Sequence, residues 1–292
     1  MAQQRAVVVV DAEDTPFCAT GADLVADRLF SLGASAVSET RVDDGTRVRL
    51  VADLPAAAVD SLLAAGLDVE LLEVDPTWAG RWQDHAVASL AGRRLRVRPE
   101  WVASTPVAER VDVVVDAATS FGSGSHPTTC LCLAALDDLV RSDDRVLDVG
   151  CGTGVLGVAV LLLGAASLVA LDIAPQAVAA TARTAELNGV DDRLIEVSTR
   201  PLPEVTAGAG PFDLVLANLL IPIIEDLGGD LARAVAPGGH LVVGGLLADG
   251  DHVGRAIAAT SGLNGALEVI DVTDTDGWAI VVLTRSVTSL LG

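Results

Sequence analysis

The stretch VLDVGCGTGVLG, residues 146–157, decides the fold. Its first four residues form a mostly apolar run typical of a buried strand, and Gly150, Gly152 and Gly154 follow at alternate positions. Glycine tolerates positive φ angles and has no Cβ to keep a ligand away from the backbone. The apolar residues after Gly154 predict a helix, whose first amides would face a carboxylate or phosphate. The motif therefore predicts a strand-to-helix turn that binds a ligand, with Gly150 and Gly152 among the contacts.

An acidic residue, Asp172, lies 22 residues after Gly150, at the end of the next predicted strand. A carboxylate in this place can accept hydrogen bonds from both hydroxyls of a ribose. We therefore expect the ligand to be a nucleoside derivative.

Two kinds of nucleoside cofactor fit this pattern. Gly152, Gly154 and Gly157 satisfy the GxGxxG pattern of dinucleotide-binding proteins. Asp148, however, lies inside the strand end, where a carboxylate can meet a cationic amino group but would repel a pyrophosphate. S-adenosylmethionine carries such an ammonium group, and NAD does not. The pattern favours S-adenosylmethionine, with a dehydrogenase and a ligand-free Rossmann-like fold as alternatives.

Apolar runs and helical segments alternate from residue 111 to residue 243, which predicts a mostly parallel sheet with helices on both faces. The predicted strands are Val111–Val115, Arg145–Val149, Ser167–Leu171, Leu194–Val197, Leu214–Ala217 and His240–Val243. The segments Leu267–Val272 and Trp278–Arg285 then predict an antiparallel hairpin. A seven-stranded, mostly parallel sheet with a terminal antiparallel hairpin is the class I methyltransferase form of the Rossmann-like α/β fold. We assign residues 119–292 to this domain.

The first 118 residues have a different organisation. Residues 1–74 alternate strand and helix patterns in the order βαββαβ, which predicts a ferredoxin-like α+β domain suited to substrate recognition. Residues 75–118 contain Trp78, Trp82 and a run of arginines, and we interpret them as a linker that bridges the two domains.

Composition restricts the partners. The formal net charge is −21, every basic residue is arginine, and only 3% of residues are aromatic, which disfavours nucleic-acid binding. The acidity suits a basic protein partner, although solubility alone would also explain it. The four cysteines lack metal-ligand spacing and are interpreted as buried thiols, so no metal is expected. The apolar stretch 155–171 is interpreted as a buried helix and strand rather than a membrane span, and a cytoplasmic location is expected.

Several motifs make the resemblance narrower than the fold class. The segments WAGRWQDH (78–85), RLRVRPEWV (94–102), FGSGSHPTTCLCL (121–133), LDIAPQAV (171–178) and ANLL (217–220) resemble the bacterial ribosomal protein L11 methyltransferase family. The resemblance implies a ferredoxin-like recognition domain, a linker and a class I catalytic domain that uses S-adenosylmethionine. It also implies cofactor contacts from Thr129, Gly150, Asp172 and Asn218.

Asn218 follows a predicted buried strand, where its amide can orient an incoming amine, so it is also the candidate catalytic residue. His126 precedes a proline in a Gly/Ser loop, and we interpret it as shaping that loop rather than as a base.

The resemblance implies repeated methylation of lysine side chains, and of an N-terminal amine, on a basic ribosomal protein, with L11 as the substrate. We expect a monomer. Methylation of another protein lysine or of a small-molecule amine, and a non-catalytic binding module with the same fold, remain alternatives.

Overall fold

The computed structural model describes residues 3–11, 25, 29, 32, 37–43, 47–64, 66–72, 88–104, 109–116, 124, 126–248, 250–261 and 267–287. The chain divides into two compact units, which we describe separately. The first comprises residues 1–86 and 118–121, and the second comprises residues 87–117 and 122–292.

The first unit contains a four-stranded antiparallel sheet and a helix, α1 (Ala56–Ala64). Its strands are β1 (Gln3–Asp11), β2 (Val37–Val42), β3 (Arg47–Pro55) and β4 (Val69–Leu72), in the order β2-β3-β1-β4. Apolar residues of β1, β3 and α1 form its core, including Val8, Leu50 and Leu62. The helix predicted between β1 and β2 is described only at residues 25, 29 and 32, so the ferredoxin-like assignment remains a prediction.

A small three-stranded sheet opens the second unit. It consists of β5 (Ser89–Ala91), β6 (Leu95–Pro99) and β7 (Val111–Val115), with β5 antiparallel and β7 parallel to β6. The strand at Val111–Val115, expected to open the main α/β sheet, therefore pairs elsewhere. Two of its valines still join the main core, because Val113 and Val115 pack in the cluster on one face of the larger sheet.

Strands β5, β6 and β7 fall within residues 75–118, the segment predicted as a linker. Trp78 and Trp82 of that segment lie outside the described residues. The structure assigns residues 87–117 to the same compact unit as the larger sheet. Two side chains of the larger part of the unit form hydrogen bonds to the backbone of these residues. The Asp137 carboxylate accepts hydrogen bonds from the backbone N–H groups of Arg93 and Arg94, and the Asn188 amide bonds both backbone groups of Val114.

The main sheet has seven strands in the order β10-β9-β8-β11-β12-β14-β13. They are β8 (Arg145–Val149), β9 (Ser167–Leu171), β10 (Leu194–Ser198), β11 (Phe212–Asn218), β12 (Val235–Leu247), β13 (Leu267–Thr275) and β14 (Trp278–Arg285). Strands β8 to β12 are parallel, whereas β14 runs antiparallel to β12 and β13. The predicted mostly parallel sheet with a terminal antiparallel hairpin is confirmed.

In the described part of the second unit, six α-helices cover this sheet: α2 (Pro127–Leu139), α3 (Val155–Leu163), α4 (Pro175–Leu187), α5 (Leu202–Ala209), α6 (Ile221–Ala234) and α7 (His252–Thr260). Alternate residues of each strand point to opposite faces. Val146 accordingly packs in one core cluster, and Leu147 and Val149 pack in the other.

The apolar stretch 155–171 forms helix α3 and strand β9, as predicted. In the part of the chain that the structure describes, no helix is long and apolar enough to cross a membrane.

The hydrogen bonds of the Asn188 side chain allow a test of how β7 is attached to the second unit. Its Nδ2 donates to the carbonyl oxygens of Val114 and Thr184, both at 2.7 Å, and its Oδ1 accepts from the Val114 N–H at 2.9 Å. Asn188→Asp removes both donors and places a negative charge against two carbonyl oxygens. We expect it to lower the free energy of unfolding by about 2 kcal/mol or more. Glu186→Gln, an exposed change two residues away, is the control and should have little effect. Equal urea midpoints for the two variants would contradict this role.

Candidate active site

The carboxyl ends of β9, β8, β11 and β12 lie side by side at one edge of the main sheet. From β8 the chain proceeds to β9 and β10 on one side, and then crosses to β11 on the other side. The order of strands therefore reverses between β8 and β11. In open α/β sheets, a ligand crevice forms at this switch point outside the carboxyl ends of the strands.

The glycine-rich turn after β8 occupies one wall of this crevice. Gly150, Gly152 and Gly154 have φ angles of 76°, 55° and 79°, a conformation that favours glycine. The N–H groups of Gly150 and Cys151 both donate to the carbonyl oxygen of Leu171, at 2.8 and 3.0 Å. The turn is thus fastened to the end of β9, and its remaining backbone can approach a ligand.

Asp172 connects this turn to the next helix. One carboxylate oxygen accepts a hydrogen bond from the Gly152 N–H at 3.0 Å, and the other accepts from the Ala174 N–H at 2.9 Å. Each carboxylate oxygen has a second acceptor position. Because Asp172 is only half-buried, those positions can accept from ribose hydroxyls while the backbone bonds persist.

Asp148 lies behind the turn rather than at its surface. Its side chain is 1% exposed, and its Oδ2 accepts a hydrogen bond from the Gly157 N–H at 3.1 Å. Burial raises the pKa of this carboxyl to about 7, with the nearby negative charge of Asp172 contributing and the Gly157 bond opposing. In the structure its hydrogen-bond partner is the first turn of α3, so a direct contact with a ligand ammonium remains a prediction.

Asn218 forms the opposite wall, at the end of β11. Its Oδ1 accepts a hydrogen bond at 2.9 Å from the Thr128 hydroxyl, which in turn accepts one at 2.7 Å from the Gly245 N–H. A Cβ added at Gly244 would lie 2.8 Å from Asn218 Oδ1 and 3.0 Å from Thr128 Oγ1. A glycine at 244 is therefore required for this arrangement.

The two walls meet at Leu219. A Cβ at Gly150 would lie 2.2 Å from Leu219 Cδ2, so the glycine turn of β8 and the end of β11 are in close contact. The structure thereby brings together four of the five predicted cofactor residues: Gly150, Gly152, Asp172 and Asn218.

The fifth, Thr129, is buried in the first turn of α2, beside Thr128. His126 is the N-cap residue of this helix. Its Nδ1 accepts from the Thr128 N–H at 3.4 Å, and its ring meets Trp278 edge-on at 4.6 Å. These contacts give His126 a structural role at the helix start. The preceding FGSGS segment lies outside the described residues, apart from Gly124.

Sequence reasoning missed three residues of this edge. The position of Thr128 near a predicted helix start suggests a cap or a ligand contact, but not the observed bond to Asn218, and the sequence predicts no role for Gly244 or Ile173. Ile173 follows Asp172 and is 94% exposed, although it is large and apolar. An exposed apolar side chain beside an acid that is predicted to bind ribose is well placed to cover a nucleobase, and only this adjacency in the sequence could have indicated it.

The described cysteines are free thiols that lie in or near the core. Cys132 and Cys151 are buried and Cys130 is half-buried, all three as free thiols, whereas Cys18 lies outside the described residues. Burial raises the pKa of the Cys132 thiol to about 12 and also raises that of Cys151. These thiols therefore stay protonated at neutral pH.

The glycine turn, the acid at the end of β9 and the terminal antiparallel hairpin define a class I methyltransferase fold. A crystal structure of ribosomal protein L11 methylase from Lactobacillus delbrueckii subsp. bulgaricus shares this fold. It superposes with a TM-score of 0.59 at 26% sequence identity, covering 68% of this chain and 98% of that one.

The comparisons identify the family. Residues 35–286 match the family model described as Ribosomal protein L11 methyltransferase (PrmA). The ribosomal protein L11 methyltransferase of Alkalilimnicola ehrlichii is 37% identical over 244 residues, which are 75% of this chain and 81% of that protein. The Geobacter sulfurreducens protein of the same name is 42% identical over 175 residues, 60% of this chain and 56% of that protein. The chain belongs to the ribosomal protein L11 methyltransferase family.

Loss of the Asp172 carboxylate tests its assignment as the ribose ligand. We expect Asp172→Ala to raise the Kd for S-adenosylmethionine at least about tenfold, because bonds to a charged acceptor are lost. Isothermal titration measures this, and Asp191→Ala, an exposed acid elsewhere on the unit, is the control. An unchanged Kd in a folded Asp172→Ala protein would remove the residue from the site.

The raised pKa of Asp148 makes stability depend on pH. The pKa rises from about 4 in the unfolded chain to about 7 in the fold, so ionisation opposes folding. The free energy of unfolding should therefore fall as pH rises from 5 to 7, by at most about 1.4 kcal/mol per pH unit.

Asp148→Asn removes this dependence while keeping an acceptor for the Gly157 N–H. The variant should gain stability relative to the parent as pH rises, as measured by urea unfolding at pH 5, 6, 7 and 8. A constant difference across this range would show that the carboxyl does not titrate there.

Proposed function

We propose that this chain transfers methyl groups from S-adenosylmethionine to lysine side chains, and to an N-terminal amine, of ribosomal protein L11. The observation that carries the proposal is the switch-point crevice, which has a glycine turn and a ribose-type acid on one wall and an amide on the other. Membership of the family and the names of its members support L11 as the substrate.

The described residues fit S-adenosylmethionine at this crevice. The positive φ angles and absent Cβ atoms of the turn leave room for the ligand against the backbone, and Asp172 keeps acceptor positions for the ribose. Ile173 offers an apolar surface for the adenine. Thr129 and the first amides of α3 are assigned to the methionine end. When bound, S-adenosylmethionine supplies a methyl group already activated by the sulfonium charge.

Asn218 is proposed to align the attacking amine. A lysine amine has a reference pKa of about 10.4 and must be neutral to attack, and an apolar, desolvated crevice favours the neutral form. One lone pair of Asn218 Oδ1 is engaged by Thr128, so the other can accept a hydrogen from the amine. Thr128 therefore acts as a positioning residue that fixes the direction of this acceptor.

The net charge of −21 supports a basic protein substrate over nucleic acid. The alternatives are separated by one experiment, in which radiolabelled methyl transfer is compared among free L11, large ribosomal subunits and a lysate that lacks this enzyme. Labelled L11, with the methyl groups located on lysines and the N-terminus by mass spectrometry, supports the proposal. Label confined to another protein or to small amines points to a different substrate, and cofactor binding without label points to a binding module.

A cytoplasmic location and a monomeric state are also proposed, because the ribosomal substrate is cytoplasmic and like charge opposes self-association. Light scattering of the purified protein tests the second point.

The Asn218–Thr128 pair gives a kinetic prediction. Asn218→Ala should lower kcat by about 10²-fold, since correct orientation of the amine is lost. Thr128→Val should lower kcat by a smaller factor, because the amide remains but its orientation is released. Thr206→Val, which removes a hydroxyl bonded only within its own helix, is the matched control and should leave kcat unchanged. Wild-type kcat for both site variants would exclude this pair from the mechanism.

A further inference from the structure

The outermost strand of the main sheet, β13, has a free edge. It pairs with β14 on one side only, and among the described residues no strand pairs with its other side. Outward-facing N–H and C=O groups of such a strand are a template for pairing with another extended chain. Every residue from Glu268 to Thr275 is exposed, so neither face of the strand is buried.

Part of one face of this edge is apolar. Val269 lies opposite Leu283 and Val272 lies opposite Val281, and both partners belong to the core cluster on one face of the sheet. The two valines are 40% and 46% exposed, and Ile270, at an irregularity in the register, is 50% exposed. The two valines therefore continue the apolar face of the core into a region that is exposed to solvent. A partner that buried them would gain hydrophobic stabilisation.

The same edge is uniformly negative. Glu268, Asp271, Asp274 and Asp276 lie within ten residues that contain no basic side chain. This charge opposes nucleic acid. It also opposes a second copy of the chain, because antiparallel self-pairing centred on Asp271 would place Glu268 opposite Asp274 and Asp271 opposite itself. Like charges directly opposite each other in a sheet are destabilising. The chemistry fits an extended segment that alternates apolar and basic residues.

Strand β13 ends at the edge of the sheet that carries the candidate active site. Thr275 pairs with Trp278, and Trp278 pairs with Leu247 of β12, so the β13–β14 turn lies at the carboxyl edge that carries Asn218. In the sheet order β13 is three strands from β11, about 15 Å at ~4.8 Å per strand. An extended chain of about five residues spans that distance.

We propose that β13 docks a basic, extended segment of the protein substrate while a neighbouring lysine reaches Asn218. This inference rests on the proposed methyl transfer and adds a second recognition surface to it. The acids provide charge attraction, the exposed backbone provides pairing groups, and the valine face provides apolar contact.

The test neutralises the strand without changing its size, with the triple variant Glu268→Gln, Asp271→Asn, Asp274→Asn. The matched control is Asp143→Asn, Asp191→Asn, Asp192→Asn, which makes the same change in net charge at exposed positions before β8 and β10. We expect the strand variant to raise KM for the protein substrate at least fivefold at low salt, with kcat and the Kd for S-adenosylmethionine unchanged. The control should change KM by less than twofold.

A binding measurement is independent of methyl transfer. A labelled ten-residue peptide of alternating lysine and valine serves as the probe, and fluorescence anisotropy should show binding to the parent that weakens with salt. The strand variant, and separately Val269→Thr with Val272→Thr, should weaken it at least fivefold, with melting temperatures confirming that each variant folds.

The outcomes are distinct. Peptide binding to the parent that the strand variants lose, without methylation of any protein, would contradict the proposed function but not the docking edge. An unchanged KM and unchanged peptide binding in the strand variant would overturn the docking proposal. So would an equal loss in the control, which would assign the effect to net charge. Self-association of the strand variant with an unchanged KM would likewise reject docking, because the acids would then serve only to prevent edge-to-edge pairing.

Discussion

The candidate site depends on one carboxylate that joins two backbone segments and that we propose as the ribose ligand. Asp172 bonds the Gly152 N–H and the Ala174 N–H, and so fixes the glycine turn of β8 relative to the start of α4. Both elements line the side of the crevice where we propose that the nucleoside binds. Because the same carboxylate is assigned to the ribose, a substitution of Asp172 would change both the conformation of the glycine turn and the binding of the ribose. The positive φ angles of the glycines and the hydrogen bonds from the turn to Leu171 also hold the turn in this conformation.

On the β11 side of the crevice, a chain of two hydrogen bonds fixes the geometry. The Gly245 N–H donates to the Thr128 hydroxyl, and that hydroxyl donates to Asn218. Three segments far apart in sequence thus determine the direction of one amide. Such a chain orients an acceptor without any ionisable group, which suits a reaction whose methyl donor is already activated. The buried acid of the site, Asp148, lies behind this surface and supports the first turn of α3 instead.

Much of this architecture could be predicted from the sequence, because parallel strands buried on both faces appear as short apolar runs and the glycine turn has a narrow conformational requirement. The places of Asp172 and Asn218 at strand ends were predicted because each follows such a run, whereas their roles in the site remain predictions. Other features depend on contacts that no local pattern encodes. Val111–Val115 has the composition of a central strand, but its partner is β6. Similarly, only the rotation of α2 decides that Thr128, rather than its neighbour Thr129, contacts Asn218.

The segment between the predicted domains bears on where an autonomous catalytic unit can begin. Leu95, Val97, Val113 and Val115 are almost fully buried and share a core with Leu133 and Leu136 of α2. A shortened protein starting at residue 119 would leave that flank of α2 exposed to water and would remove the hairpin that Asp137 holds. The helix that presents Thr128 is therefore supported by residues far upstream of the glycine motif. The smallest self-sufficient fragment with an intact reaction centre should begin close to Val87.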